Sequence, residues 1–315
     1  MKSKILVVGS LNMDISIRLA RIPVVGETVL GDSLVFTPGG KGANQACAAG
    51  KLGGDAAMLG CVGGDDFGNI QKKSLREAGV DVSRLKTSPA SPTGTAIILV
   101  DKQGNNDIVV VPGANGECDT AYIRENDPLI LSASILLLQM EIPWETIGYV
   151  IRRAHTLGKR IILNPAPAPD LLPDEILGMV DFITPNENEL AQLSGSPTRT
   201  MDEIRAAADA LLARGARNVL VTLGKRGVFL ANGGGAAVYP TTDLRAVDTT
   251  GAGDTFNGAF LVALSEGKTV EEAIRFGNAA SSISVTRKGA QESIPTRQEV
   301  DKLLKGFRPE PVRFP

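Results

Sequence analysis

Short apolar runs that end in polar residues recur along the whole chain. The first covers residues 5–8 and is followed by Ser10, Asn12 and Asp14. Four later runs share this pattern: residues 134–138, 160–163, 181–184 and 218–221 are followed by Glu141, Asn164, Asn186 and Thr222. Such runs are typical of strands buried in a parallel sheet. The carboxyl ends of parallel strands meet along one edge, where open α/β sheets bind ligands, so we expect these polar residues to converge there.

Alternation of polar and apolar residues predicts a second set of strands, each half-exposed. It occurs at residues 14–19, again over about 27–36, and in a predicted hairpin of 95–100 with 107–111. These segments predict a small sheet attached to the main body. The other predicted elements are a strand at 57–62, a helix beginning at Pro143, helices at 67–78, 273–284 and 297–304, and a flexible, proline-rich tail at 307–315.

Composition narrows the class of protein without identifying its chemistry. The 315 residues are 43% hydrophobic and 22% charged, as in an ordinary globular protein with a large core. A formal net charge of -2 gives no electrostatic case for binding nucleic acid or an anionic membrane. One histidine, His155, and three cysteines without CxxC spacing disfavour a His-based metal site, a Ser-His-Asp triad, a zinc site and a disulfide framework. No signal peptide or long apolar span is seen, so a cytoplasmic protein is expected.

The segment 248–260 is a glycine-containing loop that leads into a helical pattern. A helix N-terminus suits phosphate because its first N–H groups are unpaired and its dipole is positive there, and Gly251 and Gly253 allow close approach of the backbone. Asp254 would repel a phosphate. We therefore interpret it as a general base for a hydroxyl that attacks the phosphate. The alternative is that Asp254 only caps the helix.

A second glycine-rich segment, residues 39–46, also leads into a helical pattern. It lacks the Gly-Lys-Ser/Thr ending of a P-loop, and the first strand lacks a G-x-G-x-x-G fingerprint. Close helix packing would explain its glycines but not Lys41 and Asn44, which are good ligands for hydroxyl groups. The two segments, the polar strand ends and Asp254 together indicate phosphoryl transfer to a polyhydroxy substrate.

These segments resemble the two signatures of the PfkB-type carbohydrate kinases. Residues 39–46 and 248–258 match the signatures, and residues 164–168, 184–189 and 286–291 narrow the resemblance to the ribokinase group. The resemblance extends in order from about Ile5 to Leu304. It implies a ribokinase-like α/β fold, with a doubly wound, mostly parallel sheet flanked by helices and a small β-sheet lid. The kinase domain would cover 1–13, 38–94 and 112–306, the lid 14–37 and 95–111, and the tail 307–315. Two lids would pack together in a homodimer.

The resemblance also implies an activity and its residues. ATP would phosphorylate D-ribose at O5, with Asp254 as base and Gly251, Ala252 and Gly253 as an anion hole. Sugar-binding residues would be Asn12, Asp14, Gly40, Lys41, Gly42, Asn44, Glu141 and Asp254. Nucleotide-binding residues would be Asn186, Thr222, Gly224, Lys225, Arg226, Gly227, Gly253 and Asn278. Glu189 would help to place Mg²⁺ through water, and an activating K⁺ would be held by Asp248, Thr250, Ser284, Arg287, Gly289 and Ser293.

Each of these roles has a simpler alternative. Asn12 and Asp14 could be turn residues, and Glu141 could be a charge at a helix N-terminus. Glu189 could be an ordinary exposed helical residue, and Asp248 could cap a turn.

Three positions depart from the pattern of the ribokinase group. Met13 stands where a smaller residue is common and could narrow the sugar pocket. Asn278 stands where many members have a histidine near the adenine, and could alter nucleotide preference. Thr250-Gly251 replaces the Ile-Ala of some members. None of the three changes removes a catalytic group.

Two rival functions stay open at this point. One is a kinase of the same family that acts on another sugar or on a nucleoside; against a nucleoside, aromatic residues are only 4% of the chain and Phe36 alone stands in the first lid segment. The other is a non-catalytic sugar or nucleotide sensor, which would have no need to keep Asp254 or the glycines before it.

Overall fold

The computed structural model describes residues 4–307 and 309–314, and within them the main feature is a nine-stranded sheet. From edge to edge its strands are Ala56–Leu59 (β4), Ile5–Val8 (β1), Ile135–Leu138 (β9), Arg160–Leu163 (β10), Phe182–Ile183 (β11), Asn218–Thr222 (β12), Val228–Asn232 (β13), Gly235–Tyr239 (β14) and Val312–Phe314 (β15). Neighbours from β4 to β12 run parallel, and neighbours from β12 to β15 run antiparallel. The predicted mostly parallel sheet is confirmed, with an antiparallel extension at one edge.

Helices cover both faces of this sheet because its strands bury side chains on both sides. In β1, Ile5 and Val7 join one hydrophobic cluster, whereas Leu6 and Val8 join the other. The first cluster is covered by Lys41–Lys51 (α1), Asp66–Glu77 (α2), Ala252–Ser265 (α9), Val270–Ser284 (α10) and Arg297–Gly306 (α11). The second is covered by Thr120–Glu125 (α3), Asp127–Ser132 (α4), Trp144–Thr156 (α5), Asp174–Met179 (α6), Glu187–Ser194 (α7) and Met201–Ala213 (α8). This is the doubly wound fold that the sequence predicted.

A separate four-stranded sheet is formed by the alternating segments. In spatial order it contains Gly31–Gly39 (β3), Asn12–Leu19 (β2), Gly94–Val100 (β7) and Asn106–Val111 (β8). Strand β2 is antiparallel to β3 and parallel to β7, and β7 with β8 forms the predicted hairpin. The prediction that β3 begins near residue 27 was wrong. Glu27 instead closes a turn, because its carboxylate accepts hydrogen bonds from the Arg21 guanidinium and the Val24 N–H.

Both faces of this small sheet expose apolar side chains, and Val35, Ile108 and Val110 are exposed on the face that carries Asp14. Residues paired across the strands share a face, so Asp14, Ala96 and Val110 lie together on one side. The other side carries the exposed apolar side chains of Leu34, Phe36, Ile97, Val109 and Val111. Met13 belongs to that second side and is buried, and its predicted effect on the sugar pocket stays a prediction.

The predicted single strand at 57–62 is divided between two sheets at Gly60. Residues before it form β4 of the large sheet, whereas Cys61–Gly63 (β5) pairs in parallel with Lys86–Ser88 (β6). A Cβ atom on Gly60 would lie 2.6 Å from the carbonyl oxygen of Gly9, so only glycine fits where the chain changes sheet. An apolar run carries no signal for such a change.

The predicted flexible tail is also corrected in part. Strand β15, Val312–Phe314, pairs antiparallel with β14, and the Phe314 ring packs edge-on against Phe229 with centroids 5.8 Å apart. Hydrogen bonds to the edge strand β14 and the contact with Phe229 thus hold this segment at the sheet edge. Residues 1–3, 308 and 315, to which the predicted domain and tail also extend, lie outside the described residues.

Candidate active site

Asp254 lies in the first turn of α9, where it is only 9% exposed. Its Oδ2 accepts a hydrogen bond from Nδ2 of Asn44 and its Oδ1 accepts one from Nε2 of Gln45, each at 2.9 Å. Burial raises the pKa of Asp254, and the Lys41 ammonium and the two amides only partly oppose that rise. Gly251 is the N-cap of α9 and no side chain caps this helix, so the capping alternative for Asp254 is not supported.

The backbone just before Asp254 presents free N–H groups. Gly251 has φ 71°, a left-handed conformation that favours glycine. In the part of the chain that the structure describes, the N–H groups of Gly251 and Gly253 have no acceptor, as is usual at a helix N-terminus. The N–H of Ala252 differs from our expectation, because it donates to the carbonyl oxygen of Thr249 at 3.2 Å. Gly251 and Gly253 are therefore the free donors of the predicted anion hole.

The other glycine-rich segment is packed tightly against the end of β1. A Cβ on Gly42 would lie 2.5 Å from the Ser10 backbone nitrogen, so α1 approaches this strand more closely than another residue would allow. The Ser10 hydroxyl donates to Oε2 of Glu141 at 2.6 Å, and the N–H of Lys41 donates to the same oxygen at 3.2 Å. Because the Lys41 N–H already donates to Glu141, the start of α1 is not an open phosphate site.

The strand β2 carries Asn12 and Asp14 toward the same region. Gly40 makes this possible, because a Cβ there would lie 2.6 Å from the Asn12 backbone nitrogen. Burial and then the carboxylates of Glu141 and Asp254 raise the pKa of Asp14 to about 7, although Lys41 acts in the opposite direction. These shifts mean that Asp14, Lys41, Glu141 and Asp254 form one interacting group of charges.

Two cavities meet at the N-terminus of α9. One, of 190 Å³, is polar and is lined by Lys41, Asn164, Glu189 and Asp254, among other residues. The second, of 510 Å³, extends over the C-terminal part of the sheet and is lined by Gly224, Lys225, Gly227, Phe256 and Asn278, among other residues. Both cavities share one wall, formed by Thr222, Thr249, Ala252 and Gly253. Groups bound in the two cavities would therefore be neighbours at these four residues.

Two residues that were predicted to bind the nucleotide form hydrogen bonds with other residues near the larger cavity. Asn278 lines the cavity, but its amide nitrogen donates to the carbonyl oxygens of Tyr239 and Pro240, at 2.9 and 3.3 Å. It thereby fixes the loop after β14. The Arg226 guanidinium donates to the carboxylate of Glu187, and Arg226 is not among the residues that line the cavity, so its contact with a nucleotide stays a prediction.

Asn186 and Glu189 form a reciprocal capping box at the start of α7. The Glu189 N–H donates to Asn186, and both carboxylate oxygens of Glu189 accept hydrogen bonds from Asn186 at 2.9 Å. Burial raises the pKa of Glu189, although it lines the 190 Å³ cavity. Each carboxylate oxygen keeps a free lone pair, so this carboxylate could still face a hydrated cation in the cavity.

Asp248 joins the two loops that the sequence predicted to form a K⁺ site. Its Oδ1 accepts the N–H of Thr250 at 2.9 Å, and its Oδ2 accepts the N–H of Gly289 at 3.0 Å. Partial burial raises the pKa of Asp248, but these N–H groups outweigh it and lower the pKa overall. Within the described chain, the carbonyls of Thr250, Arg287 and Gly289 accept no hydrogen bond, whereas the Ser284 carbonyl accepts one from the Arg287 N–H and the Ser293 hydroxyl donates to Ala290. One carboxylate and several carbonyls are the hard oxygen donors that such an ion would need.

Comparison with known proteins decides the family. Residues 2–297 match the description "pfkB family carbohydrate kinase". The chain belongs to the pfkB family of carbohydrate kinases. This carbohydrate kinase is 43% identical to a ribokinase of Bacillus subtilis, over 95% of this chain and 99% of the relative. It is 40% identical to a ribokinase of Haemophilus influenzae, over 96% and 99% of the two chains.

A solved structure supports the fold of this carbohydrate kinase as well as its family. The structure is that of an Arabidopsis thaliana ribokinase complexed with ribose and ATP. It has a TM-score of 0.89 and 36% sequence identity, and the match covers 97% of this chain and 99% of the other. The α/β fold with a small separate sheet is therefore the fold of the family.

Sequence reasoning assigned no role to several buried polar residues of the kinase that contact the predicted site. They are Ser10, Gln45, Asn115, Gln139 and Asn164. Ser10, Gln139 and Asn164 directly follow predicted strands, so their position was a usable signal. Gln45 and Asn115 stand inside a helix and a short 3₁₀ turn, where no spacing sets them apart.

Among the described residues, no group of three His, Cys, Asp or Glu side chains could hold a metal ion. None of the described helices is long and apolar enough to span a bilayer.

Proposed function

We propose that this kinase transfers the γ-phosphoryl group of ATP to O5 of D-ribose, giving D-ribose 5-phosphate and ADP. The observation that carries the proposal is the position of Asp254, a buried carboxylate beside the wall that the two cavities share. A carboxylate there would oppose phosphate binding unless it accepts a proton during the reaction. Ribose is favoured because relatives named ribokinase match nearly the whole chain, and one of them has been solved with ribose and ATP.

The sugar would bind on the polar side of the shared wall. The residues that bind the sugar would be Asn12, Asp14, Gly40, Lys41, Gly42, Asn44 and Glu141. Asp254 would lie next to O5 of the sugar. Asn44 supports this arrangement directly, because its buried Oδ1 has no hydrogen-bond partner among the described residues. A sugar hydroxyl would supply the missing donor. A buried acceptor left without one costs about 1–3 kcal/mol.

The proposed reaction is an in-line displacement. Asp254 accepts the proton of the 5-hydroxyl as its oxygen forms a bond to the γ-phosphorus, and the bond from that phosphorus to the β–γ bridging oxygen breaks, so that ADP leaves. The free N–H groups of Gly251 and Gly253 would donate hydrogen bonds to the transferred group as its negative charge increases. The Lys41 ammonium offsets the charge of Asp254 before it accepts the proton.

The nucleotide would occupy the 510 Å³ cavity, with its phosphates directed to Gly253. Thr222, Gly224, Lys225 and Gly227 would line its phosphates and ribose, and Asn186 would stand at the boundary with the smaller cavity. Mg²⁺ would be held mainly by the phosphates and by water next to Glu189. When bound, it would neutralise phosphate charge.

A monovalent ion, K⁺, would be held beside the anion hole. Its ligands would be the Asp248 carboxylate, the Ser293 hydroxyl and the carbonyls of Thr250, Ser284, Arg287 and Gly289. The support is chemical: Asp248 already links the two loops, and the carbonyls of Thr250, Arg287 and Gly289 accept no hydrogen bond from the described residues. The ion would supply a positive charge that keeps the loop before Gly251 in place.

The small sheet would act as a lid and as a dimer interface. Its Asp14 side faces the proposed sugar site, whereas the opposite side exposes Leu34, Phe36, Ile97, Val109 and Val111. A cluster of exposed apolar side chains on one face is typical of an interface between proteins. A second copy of this chain is the partner that the family resemblance favours. An enzyme that consumes ATP and a free pentose is expected in the cytoplasm.

One assay tests the activity against its rivals. ADP release is measured with ribose, deoxyribose, fructose, 2-keto-3-deoxygluconate, adenosine and pseudouridine at equal concentrations. We expect the largest kcat/KM with ribose. A larger kcat/KM with another sugar or a nucleoside would reassign the substrate within the family, and binding of ribose without ADP release would identify a sensor.

A further inference from the structure

A chain of buried side chains runs beneath Asp254 that the proposed reaction does not use. Nε2 of Gln45 donates both to Oδ1 of Asp254, at 2.9 Å, and to Oδ1 of Asn164, at 3.0 Å. Oε1 of Gln45 accepts a hydrogen bond from Nε2 of Gln139 at 2.6 Å. Gln45 and Gln139 are 0% exposed and Asn164 is 7% exposed. Both hydrogens and the oxygen of the Gln45 amide are therefore engaged away from solvent.

The same network continues to the loop of the anion hole. Nδ2 of Asn164 donates to the carbonyl oxygen of Thr184 at 2.9 Å, and the Thr184 hydroxyl donates to Oδ1 of Asn257 at 2.7 Å. Nδ2 of Asn257 then donates to the carbonyl oxygen of Gly253 at 2.9 Å. The Asp254 carboxylate and the carbonyl of Gly253 are thus linked, through Thr184, by one connected set of hydrogen bonds.

The direction of every hydrogen bond in this set is fixed by its chemistry. The Thr184 carbonyl can only accept, so the amide nitrogen of Asn164 must face it and the oxygen of Asn164 must face Gln45. Gln45 must then present its nitrogen to Asn164, and the second hydrogen of that nitrogen reaches Asp254. Asp254 accepts this bond at Oδ1 and a bond from Asn44 at Oδ2, and the ionised carboxylate is an acceptor at both oxygens. Hydrogen bonds to the charged form of a carboxylate favour that form.

We propose that Gln45 is a positioning residue that keeps the Asp254 carboxylate ionised and aimed at the sugar hydroxyl. The role rests on the proposed function, because it is the base of that reaction which Gln45 would support. Gln45 contacts neither substrate in this arrangement and acts only through Asp254. Its neighbour Asn44, by contrast, has an oxygen free for the sugar.

Other charges also surround Asp254, so the role of Gln45 must be separated from theirs. Lys41 of α1 favours the ionised form, whereas Glu141 after β9, Asp14 of β2 and Glu189 of α7 disfavour it. A substitution at position 45 leaves all four in place. A change in the pH dependence of the variant therefore reports on the amide.

The test compares the pH profiles of kcat in the unmodified enzyme, Gln45→Leu and Gln45→Glu, at saturating ribose and MgATP. In Gln45→Leu, loss of the amide should move the acid-side midpoint upward by about one pH unit, the effect of one hydrogen bond to a charged group. At pH values below both midpoints kcat should fall about tenfold and should recover as the pH rises above them, while KM for ribose changes by less than about twofold. Gln45→Glu keeps the shape and the bond from Gln139 but places a second carboxylate beside Asp254, so its midpoint should move up further.

Asn126→Leu is the matched control, because Asn126 is another buried amide whose nitrogen donates to the Tyr122 carbonyl, away from these residues. It should lower the melting temperature and leave the midpoint unchanged. Unmoved midpoints in both Gln45 variants would overturn the role. If Gln45→Leu does not fold, Gln45→Glu decides alone. Absence of ribose turnover by the unmodified enzyme would overturn the proposed function together with this role, whereas turnover with unmoved midpoints overturns the role alone.

Discussion

Asn115 holds Asn12 in one orientation: its Nδ2 donates to Oδ1 of Asn12 across 2.7 Å, and both side chains are buried. The backbone of Leu11 in turn fixes Asn115. The Leu11 N–H donates to Oδ1 of Asn115 at 2.9 Å, and Nδ2 of Asn115 donates to the Leu11 carbonyl oxygen at 3.1 Å. With its oxygen facing Asn115, Asn12 has its amide nitrogen free to donate to a sugar. We therefore expect a sugar hydroxyl that contacts this nitrogen to act as an acceptor.

Replacing Asn115 should weaken sugar binding without touching the sugar. In Asn115→Leu the Asn12 amide loses its partner and can rotate, which costs about 1–3 kcal/mol, or roughly 5- to 150-fold in KM for ribose. KM for ATP should stay within about twofold, since the nucleotide cavity lies across the shared wall. Steady-state kinetics with each substrate varied in turn measures both values. A parallel rise in the two KM values would show that Asn115 supports the whole fold instead.

Asp254→Asn should separate binding from turnover. Asparagine keeps the size of the side chain but cannot accept the proton, so kcat should fall by about 10²–10⁴. Ribose binding, measured by calorimetry without ATP, should remain within about tenfold. A variant that keeps most of its kcat would remove Asp254 from the proposed reaction.

Ribose binding should strengthen as pH rises through about 7. The pKa of Asp14 is raised to about 7, so the fraction of carboxylate able to accept two sugar hydroxyls increases between pH 6 and pH 8. The dissociation constant of ribose should fall several-fold over this range. In Asp14→Asn, ribose binding should be weaker at every pH and should not change between pH 6 and pH 8. The same slope in both proteins would assign the titration to another group.

Stability gives an independent control on Asp14. A carboxyl whose pKa is higher in the folded than in the unfolded state binds more protons when folded, so it destabilises the fold progressively between pH about 4 and about 7. Asp14→Asn should therefore melt at a higher temperature than the unmodified protein at pH 8, with a smaller difference at pH 4. The sign of that difference is measured by calorimetry.

K⁺ should raise activity severalfold over Na⁺ at matched ionic strength. In Asp248→Ala the carboxylate that accepts the N–H groups of Thr250 and Gly289 is lost, so the response to K⁺ should disappear while circular dichroism shows an intact fold. Equal rates in potassium-free and potassium-containing buffer with the unmodified enzyme would exclude the proposed ion site.

Val109→Lys should convert a dimer to monomers. Val109 is 61% exposed on the apolar side of the small sheet, and a lysine there would place a charge in the proposed interface. Ile108→Lys is the matched control, because Ile108 is 56% exposed on the opposite side of the same strand. Light scattering at several concentrations should give a monomer for the first variant and a dimer for the second. Loss of the dimer in both, or in neither, would count against the assigned face.

The sequence predicted the large sheet and the positions of polar residues at its edge because short apolar runs and their endings are local signals. It also predicted the hairpin of β7 and β8, whose alternation is local too. The division of 57–62 at Gly60 and the docking of Val312–Phe314 depend on distant partners, Gly9 and β14, which no local pattern contains. For the same reason Gln45 and Asn115 escaped notice, since each is defined by a residue at least a hundred positions away.

The fixed direction of the amide network restricts how this chain can vary. Asp254, Gln45 and Asn164 come from three distant parts of the sequence, yet each can keep its hydrogen bonds only if the others keep their orientation. A substitution at one of them alters what is tolerated at the next, so their effects should be strongly non-additive in double-mutant cycles. Change at these positions is therefore expected to require coordinated replacements, and a library that randomises them one at a time would miss the functional combinations.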